Sequence, residues 1–164
     1  MQEVTKKSWA SAYKNKEFIF IETSSGYRSS HGDPKGKQHM LGLDVDDLAL
    51  GNTLLDALAH SRFLLPKDDP DLFSYEKTAE RYQQWVTEIM AHYGYKSRRA
   101  MFKDMQTCGI EKKFGLITIL PSNHDRLEGW SGTGIKETDH VVISEHSSPS
   151  EIGAALRLAF SRCR

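Results

Sequence analysis

The chain has 164 residues, 38% of them hydrophobic, enough for one domain with a real core and too few for two comfortable ones, so 1–164 reads as a single domain. Lysine plus arginine and aspartate plus glutamate number 22 each, which excludes the global basic field of a nucleic-acid binder and the overall acidity of a disordered chain. The balance is uneven: residues 44–93 carry ten acidic side chains against four basic, while the flanking segments 1–43 and 94–164 are each net positive.

The N-terminal MQEVTKKSWASAYKNKEF has charges throughout and no apolar core of about 7–15 residues, so it is not a signal peptide. No stretch approaches the ~18 apolar residues of a membrane span, and the expected location is the cytoplasm. EFIFIET (17–23) reads as a strand running into Ser-Ser-Gly, and QHMLGLDV (38–45) as a second, interrupted by Gly42. The polar segment ETSSGYRSSHGDPKGKQH (22–39) joins them.

From Asp46 or Asp47, either able to cap a helix, Leu48, Gly51, Leu55, Leu58 and Arg62 recur at helical spacing until Pro66. The acidic connector PKDDPD follows. Tyr75, Ala79, Tyr82, Val86, Ile89 and Tyr93 then mark a longer helix ending at Gly94. Ser97 caps a third, shorter helix with Met101, Phe102 and Met105, closed by Gly109. GLITILPS (115–122), a weak strand around RLEGW (126–130) and HVVIS (140–144) read as an antiparallel meander. In the final segment Ser148 and Glu151 match a capping box with Pro149 at the first helical position, and Ile152, Leu156 and Phe160 should seat that helix on the sheet. The expected fold is α+β: a mainly antiparallel sheet, about three helices inserted between an N-terminal strand pair and a C-terminal meander, and a C-terminal helix. The two strand groups should join, because neither alone has enough apolar surface.

Chemical motifs are approached and missed. In GDPKGKQ, only three residues separate Gly32 from Gly36 where a phosphate loop needs four, and Gln38 follows Lys37, so both the spacing and the magnesium ligand are wrong. GWSGTG places Thr133 where a nucleophile elbow around Ser131 needs glycine. The seven histidines lack metal-ligand spacing, and Cys108 and Cys163 are far apart and read as free, reduced thiols; neither metal nor cofactor is expected. His31 with Asp33 and Ser29 or Ser30 is the one set from which a small hydrolase or nuclease can be imagined. KSRRAMFK (96–103) has little aromatic interleaving, which argues against direct nucleic-acid binding. Asp44, Asp46 and Asp47 and the later Asp68, Asp69 and Asp71 bracket one predicted helix; the first triad favours the helix N-terminus, and carboxylates at both ends can instead present a negative surface to a cationic protein.

KNKEFIFIETSSGYRSSHGDPKGKQHMLGLDVDD, LLDALAHSRFLLP, GWSGTGI and SPSEIGAALRLAFSRC, in that order from about Ser8 to Cys163, resemble the immunity proteins of bacterial contact-dependent growth inhibition systems, the CdiI group. The resemblance implies a non-enzymatic inhibitor of the C-terminal toxin domain of a cognate CdiA exoprotein, with the toxin often a nuclease acting on transfer RNA. It transfers no binding residues. On residue type and charge, the expected toxin surface is Asp46, Asp47, Asp68, Asp69 and Asp71, with Tyr27, Arg28 and Tyr75 as anchors.

Overall fold

The computed structural model describes residues 4–164, with nine strands and five helices among them. β1 (Ser8–Lys14), β2 (Phe18–Gly26), β5 (Gln106–Lys113), β6 (Leu116–Pro121) and β9 (Val141–Ser144) lie side by side in the order β2-β1-β5-β6-β9, all neighbours antiparallel. β3 (Ser30–Gly32) and β4 (Gln38–Gly42) lie end to end along the outer side of β2, opposite Ser24–Gly26 and Phe18–Glu22. The α+β class and the joining of the two strand groups are as expected, and the joint is the β1–β5 pairing.

Alternation along β2 explains the layering. Ile19 and Ile21 point with Ala10, Ala12, Ile110, Ile117 and Ile119 to one face, which α1 (Asp47–Ala59) and α5 (Pro149–Ser161) cover. Phe18 and Phe20 point to the other, against α3 (Tyr75–Tyr93) and α4 (Arg98–Phe102). Glu22 shares that second face. On the first face α1 and α5 pack at backbone contact: a Cβ on Gly51 would fall 1.7 Å from the Pro149 carbonyl oxygen, and one on Gly153 2.0 Å from that of Asp47. Ile152, Leu156 and Phe160 are fully buried beneath this crossing, as their spacing predicts.

The helix ends also follow the sequence. Asp46 accepts from the Ala49 N–H, Ser74 from Lys77, Ser97 from Ala100 and Ser148 from Glu151, and Gly94 closes α3 at φ +71°. Five details differ. β1 is a central strand hidden by its small residues. The third helix ends at Phe102, and Gly109 lies within β5 opposite Leu120, because Cys108 and Ile110 alternate into the core. Arg62 lies beyond the end of α1, beside the parallel bridge between Gly26 and Phe63. The weak middle strand is a hairpin of its own, β7 (Asn123–Arg126) and β8 (Gly129–Ser131), so β9 pairs directly with β6. Trp130 anchors that hairpin by donating its indole N–H to the Met105 carbonyl at 2.9 Å. The acidic connector contains a further short helix, α2 (Pro70–Phe73). Among the described residues, no helix is long and apolar enough to cross a membrane.

Candidate functional site

The polar segment 22–39 is built around two side chains. Thr23 donates its hydroxyl to the Ala57 carbonyl at 2.7 Å and accepts the Lys37 N–H at 3.0 Å, fixing β2 to the end of α1 and to the returning chain. Gly36 passes so close to it that a Cβ there would fall 2.4 Å from the Thr23 Cβ. Asp33, 1% exposed, accepts from the Ser25 hydroxyl (2.6 Å), the Lys35 N–H (2.9 Å), and Arg62 Nε and Nη2 (2.7 and 2.9 Å). Arg62 also donates to Asp69 at 2.8 Å, and Asp69 meets the Lys35 ammonium at 3.3 Å. Burial pushes the Asp33 carboxyl up, but the hydrogen bonds from Arg62, Ser25 and Lys35 outweigh it and hold the group below its ordinary value. Its bonds to Asp33 and Asp69 raise the Arg62 guanidinium, which stays charged.

Beside this network lies a cleft of about 380 Å³. Its floor is Tyr13, Phe20 and Glu22 from β1 and β2, one wall is Gly32, Asp33, Pro34 and Gln38, and the other is Thr78, Arg81, Tyr82 and Trp85 from α3. Burial raises the Glu22 carboxyl to about 7, against the opposing pull of the Tyr13 hydroxyl, which donates to it at 3.5 Å, and of Arg81. The Tyr13 hydroxyl is itself held well above the usual tyrosine range by burial and by Glu22. The Trp85 indole N–H is buried and has no hydrogen-bond partner among the described residues. At the far end Tyr82 donates to Glu128 at 2.7 Å, and Glu128 is paired with Arg98. An aromatic cleft with a half-buried carboxylate and an unpaired donor is equipped to receive polar groups of a partner.

The residues expected to form a toxin surface fall into two groups at opposite ends of α1, a 13-residue helix about 20 Å long. At its start, Asp46 caps the helix and Asp47 pairs with Arg157 at 2.7 Å, tying α1 to α5. Past its end, Asp68 accepts the Leu65 N–H at 3.0 Å, Asp69 sits in the Arg62 network, and Asp71 lies exposed in α2. Tyr75, 87% exposed, opens α3 on the helical stripe that continues through Thr78, Tyr82 and Trp85 along the cleft. Tyr27 packs on Phe63 at 5.1 Å, with the Arg28 guanidinium 5.9 Å above its ring.

His31 and Asp33 form no hydrogen bond with each other among the described residues. Asp33 is committed to Arg62, Ser25 and Lys35, while His31 packs edge-on against Phe73, where burial and Arg81 lower its pKa. Ser131 accepts the Thr133 N–H in a turn. Among the described residues, no three His, Cys, Asp or Glu side chains are grouped to hold a metal ion. Sequence reasoning missed Glu22 and α3's Arg81 and Trp85. The signal for Glu22 was present, since it follows Phe18 and Phe20 on the same face of a strand buried on both sides.

A family model of CDI immunity proteins, CdiI, matches residues 8–163. The chain is 49% identical to the immunity protein CdiI-YPIII of Yersinia pseudotuberculosis serotype O:3 (strain YPIII), with 100% of this chain and 99% of that protein covered. Among solved structures, it superposes with a TM-score of 0.94 and 49% identity on a chain of the CdiA-CT/CdiI toxin and immunity complex from Yersinia pseudotuberculosis, covering 99% of this chain and 100% of that one. A protein of unknown function from Neisseria meningitidis follows at TM-score 0.90 and 39% identity, with 100% of this chain and 99% of that one covered. Similarity of this extent in both sequence and fold places the chain in the CdiI family of CDI immunity proteins.

Proposed function

We propose that this chain, acting in the cytoplasm as one immunity domain over 1–164, binds the C-terminal toxin domain of its cognate CdiA exoprotein and neutralises it by covering the toxin's active site or substrate surface. The observation that carries this reading is the end-to-end likeness to the immunity partner of a solved toxin and immunity complex. The inhibitor works by occupancy and catalyses no reaction. The toxin is a nuclease acting on transfer RNA; such an enzyme must hold a polyanion, and a basic cleft of that kind complements a negative inhibitor surface.

The binding surface is the mouth of the Glu22 cleft with its rim. Asp68 and Asp71 are its steering charges, the latter exposed, and Tyr75, Tyr27 and Arg28 are the anchors. Asp46, Asp47 and Asp69 support it from within the fold, through the α1 cap, the Arg157 pair and the Arg62 network. Tyr75→Ala measured against the toxin domain by calorimetry tests the placement. A loss of ten-fold or more in affinity is expected, and unchanged affinity in a folded variant places the toxin elsewhere. Purified protein incubated with transfer RNA, DNA, nucleotides and esters is expected to leave them intact; turnover abolished by Glu22→Gln would replace occupancy with catalysis.

A further inference from the structure

Two thiols separated by 55 residues in sequence meet on the α1/α5 face of the sheet, with their sulfurs 3.8 Å apart. Cys108 is buried near the start of β5, where it pairs with Ala12 and Pro121, and Cys163 follows α5 and is partly exposed. Backbone bonds hold Cys163 on both sides: its own N–H donates to the Phe160 carbonyl at 3.1 Å, and Arg164 both donates to the Ser122 carbonyl at 3.0 Å and accepts from the His124 N–H at 2.7 Å. The sulfurs are therefore presented to each other by the fold, and a shift of under about 2 Å brings them to bonding distance.

We propose that Cys108 and Cys163 form an oxidisable dithiol, which a hydrogen-peroxide-class oxidant converts into an intramolecular disulfide stapling the end of α5 to β5. The chemistry is ordered by exposure. Cys163 meets the oxidant first, and its thiol is drawn down to about 7, chiefly by the hydrogen bond from the Cys108 thiol, so a nucleophilic thiolate is available near neutral pH. Cys108 is held well above the usual thiol range by that same hydrogen bond and by burial, which keeps it protonated until it is called on. The Cys163 thiolate attacks one peroxide oxygen, the O–O bond breaks, and the released hydroxide takes a proton to leave as water. The Cys108 sulfur then attacks the Cys163 sulfur; the S–S bond forms, the S–O bond breaks, and the Cys108 proton leaves with the hydroxyl as a second water. Two thiols are oxidised by two electrons and one peroxide is reduced to two waters.

The pair lies across the sheet from the Glu22 cleft, so the inference is independent of toxin binding. The test uses the reduced full-length chain, exposed to hydrogen peroxide, alkylated under denaturing conditions and analysed by intact mass. Both thiols should disappear on one time course with a mass loss of two hydrogens, and the product should run as a monomer containing a Cys108–Cys163 crosslinked peptide. Cys108→Ser should leave Cys163 as a sulfenic acid that dimedone traps, and Cys163→Ser should leave Cys108 unmodified. The wild-type readout stands even where a variant fails to fold. The proposal is overturned if wild-type Cys163 is trapped by dimedone or over-oxidised while Cys108 still alkylates, if the crosslink joins two molecules, or if neither thiol reacts.

Discussion

Replacing Arg62 by alanine leaves the Asp33 carboxylate buried, with two of its four hydrogen bonds gone, and releases Asp69 and Lys35 from the same node. Removing one partner of a buried pair costs about 3–5 kcal/mol. Because roughly a third of the Arg62 side chain is exposed and water can take its place, the lower end of that range applies. The sign with pH is set by the direction of the Asp33 shift: its folded-state pKa is depressed, so the pair contributes fully above the unfolded value of ~3.9 and is lost as pH falls through the folded one. Urea unfolding of wild type and Arg62→Ala should therefore differ by about 3 kcal/mol at neutral pH and converge in acid. Asp33→Asn/Arg62→Met, which removes the orphaned charge along with its partner, should recover much of the loss. A deficit under about 1 kcal/mol for Arg62→Ala, or one that does not change with pH, would mean the network is no more than a solvated surface pair.

Three other perturbations separate the parts of the account. Asp68→Asn/Asp71→Asn should slow association with the toxin in stopped-flow mixing and leave dissociation nearly unchanged, with the effect fading toward ~1 M salt, whereas Asp46→Asn should leave association untouched. Gly51→Ala and Gly153→Ala should each cost at least the ~1–3 kcal/mol of an overpacked core in denaturant titration, since the added methyl meets backbone rather than a side chain that can yield. For Glu22 the folded pKa of about 7 exceeds the unfolded one, so stability falls as pH rises between about 4.5 and 7; Glu22→Gln should raise the melting temperature at pH 8 and lose that advantage by about pH 5.

The parts of the fold legible in the sequence were those with a strong local signal. α3 and α5 carry long apolar stripes between a serine cap and a stop, and β2 is a dense β-branched and aromatic run. β1 was not legible because a central strand beneath two closely crossing helices needs small residues, and SWASAYK spends its inward positions on Ala10 and Ala12. β5 was obscured because Met101, Phe102 and Met105 continue helical spacing into it, and only tertiary pairing with β1 and β6 ends the helix at Phe102. The charged residues and their bracketing of α1 were visible, but their partners were not. Asp47 pairs with Arg157 from α5, and Asp33, read as a catalytic candidate, is drawn inward by Arg62 from beyond the end of α1. The cleft combines β1, β2 and α3, so no single stretch announces it.

The most direct measurement mixes the purified chain with the C-terminal toxin domain of its cognate CdiA exoprotein, following complex formation by calorimetry and toxin activity in the same titration, with transfer RNA as the proposed substrate. The account predicts a saturable one-to-one complex and loss of toxin activity in step with its formation, with no protection against an unrelated toxin domain. A folded chain and an active toxin that form no complex at micromolar concentration, or a complex in which the toxin keeps its full activity, would contradict it.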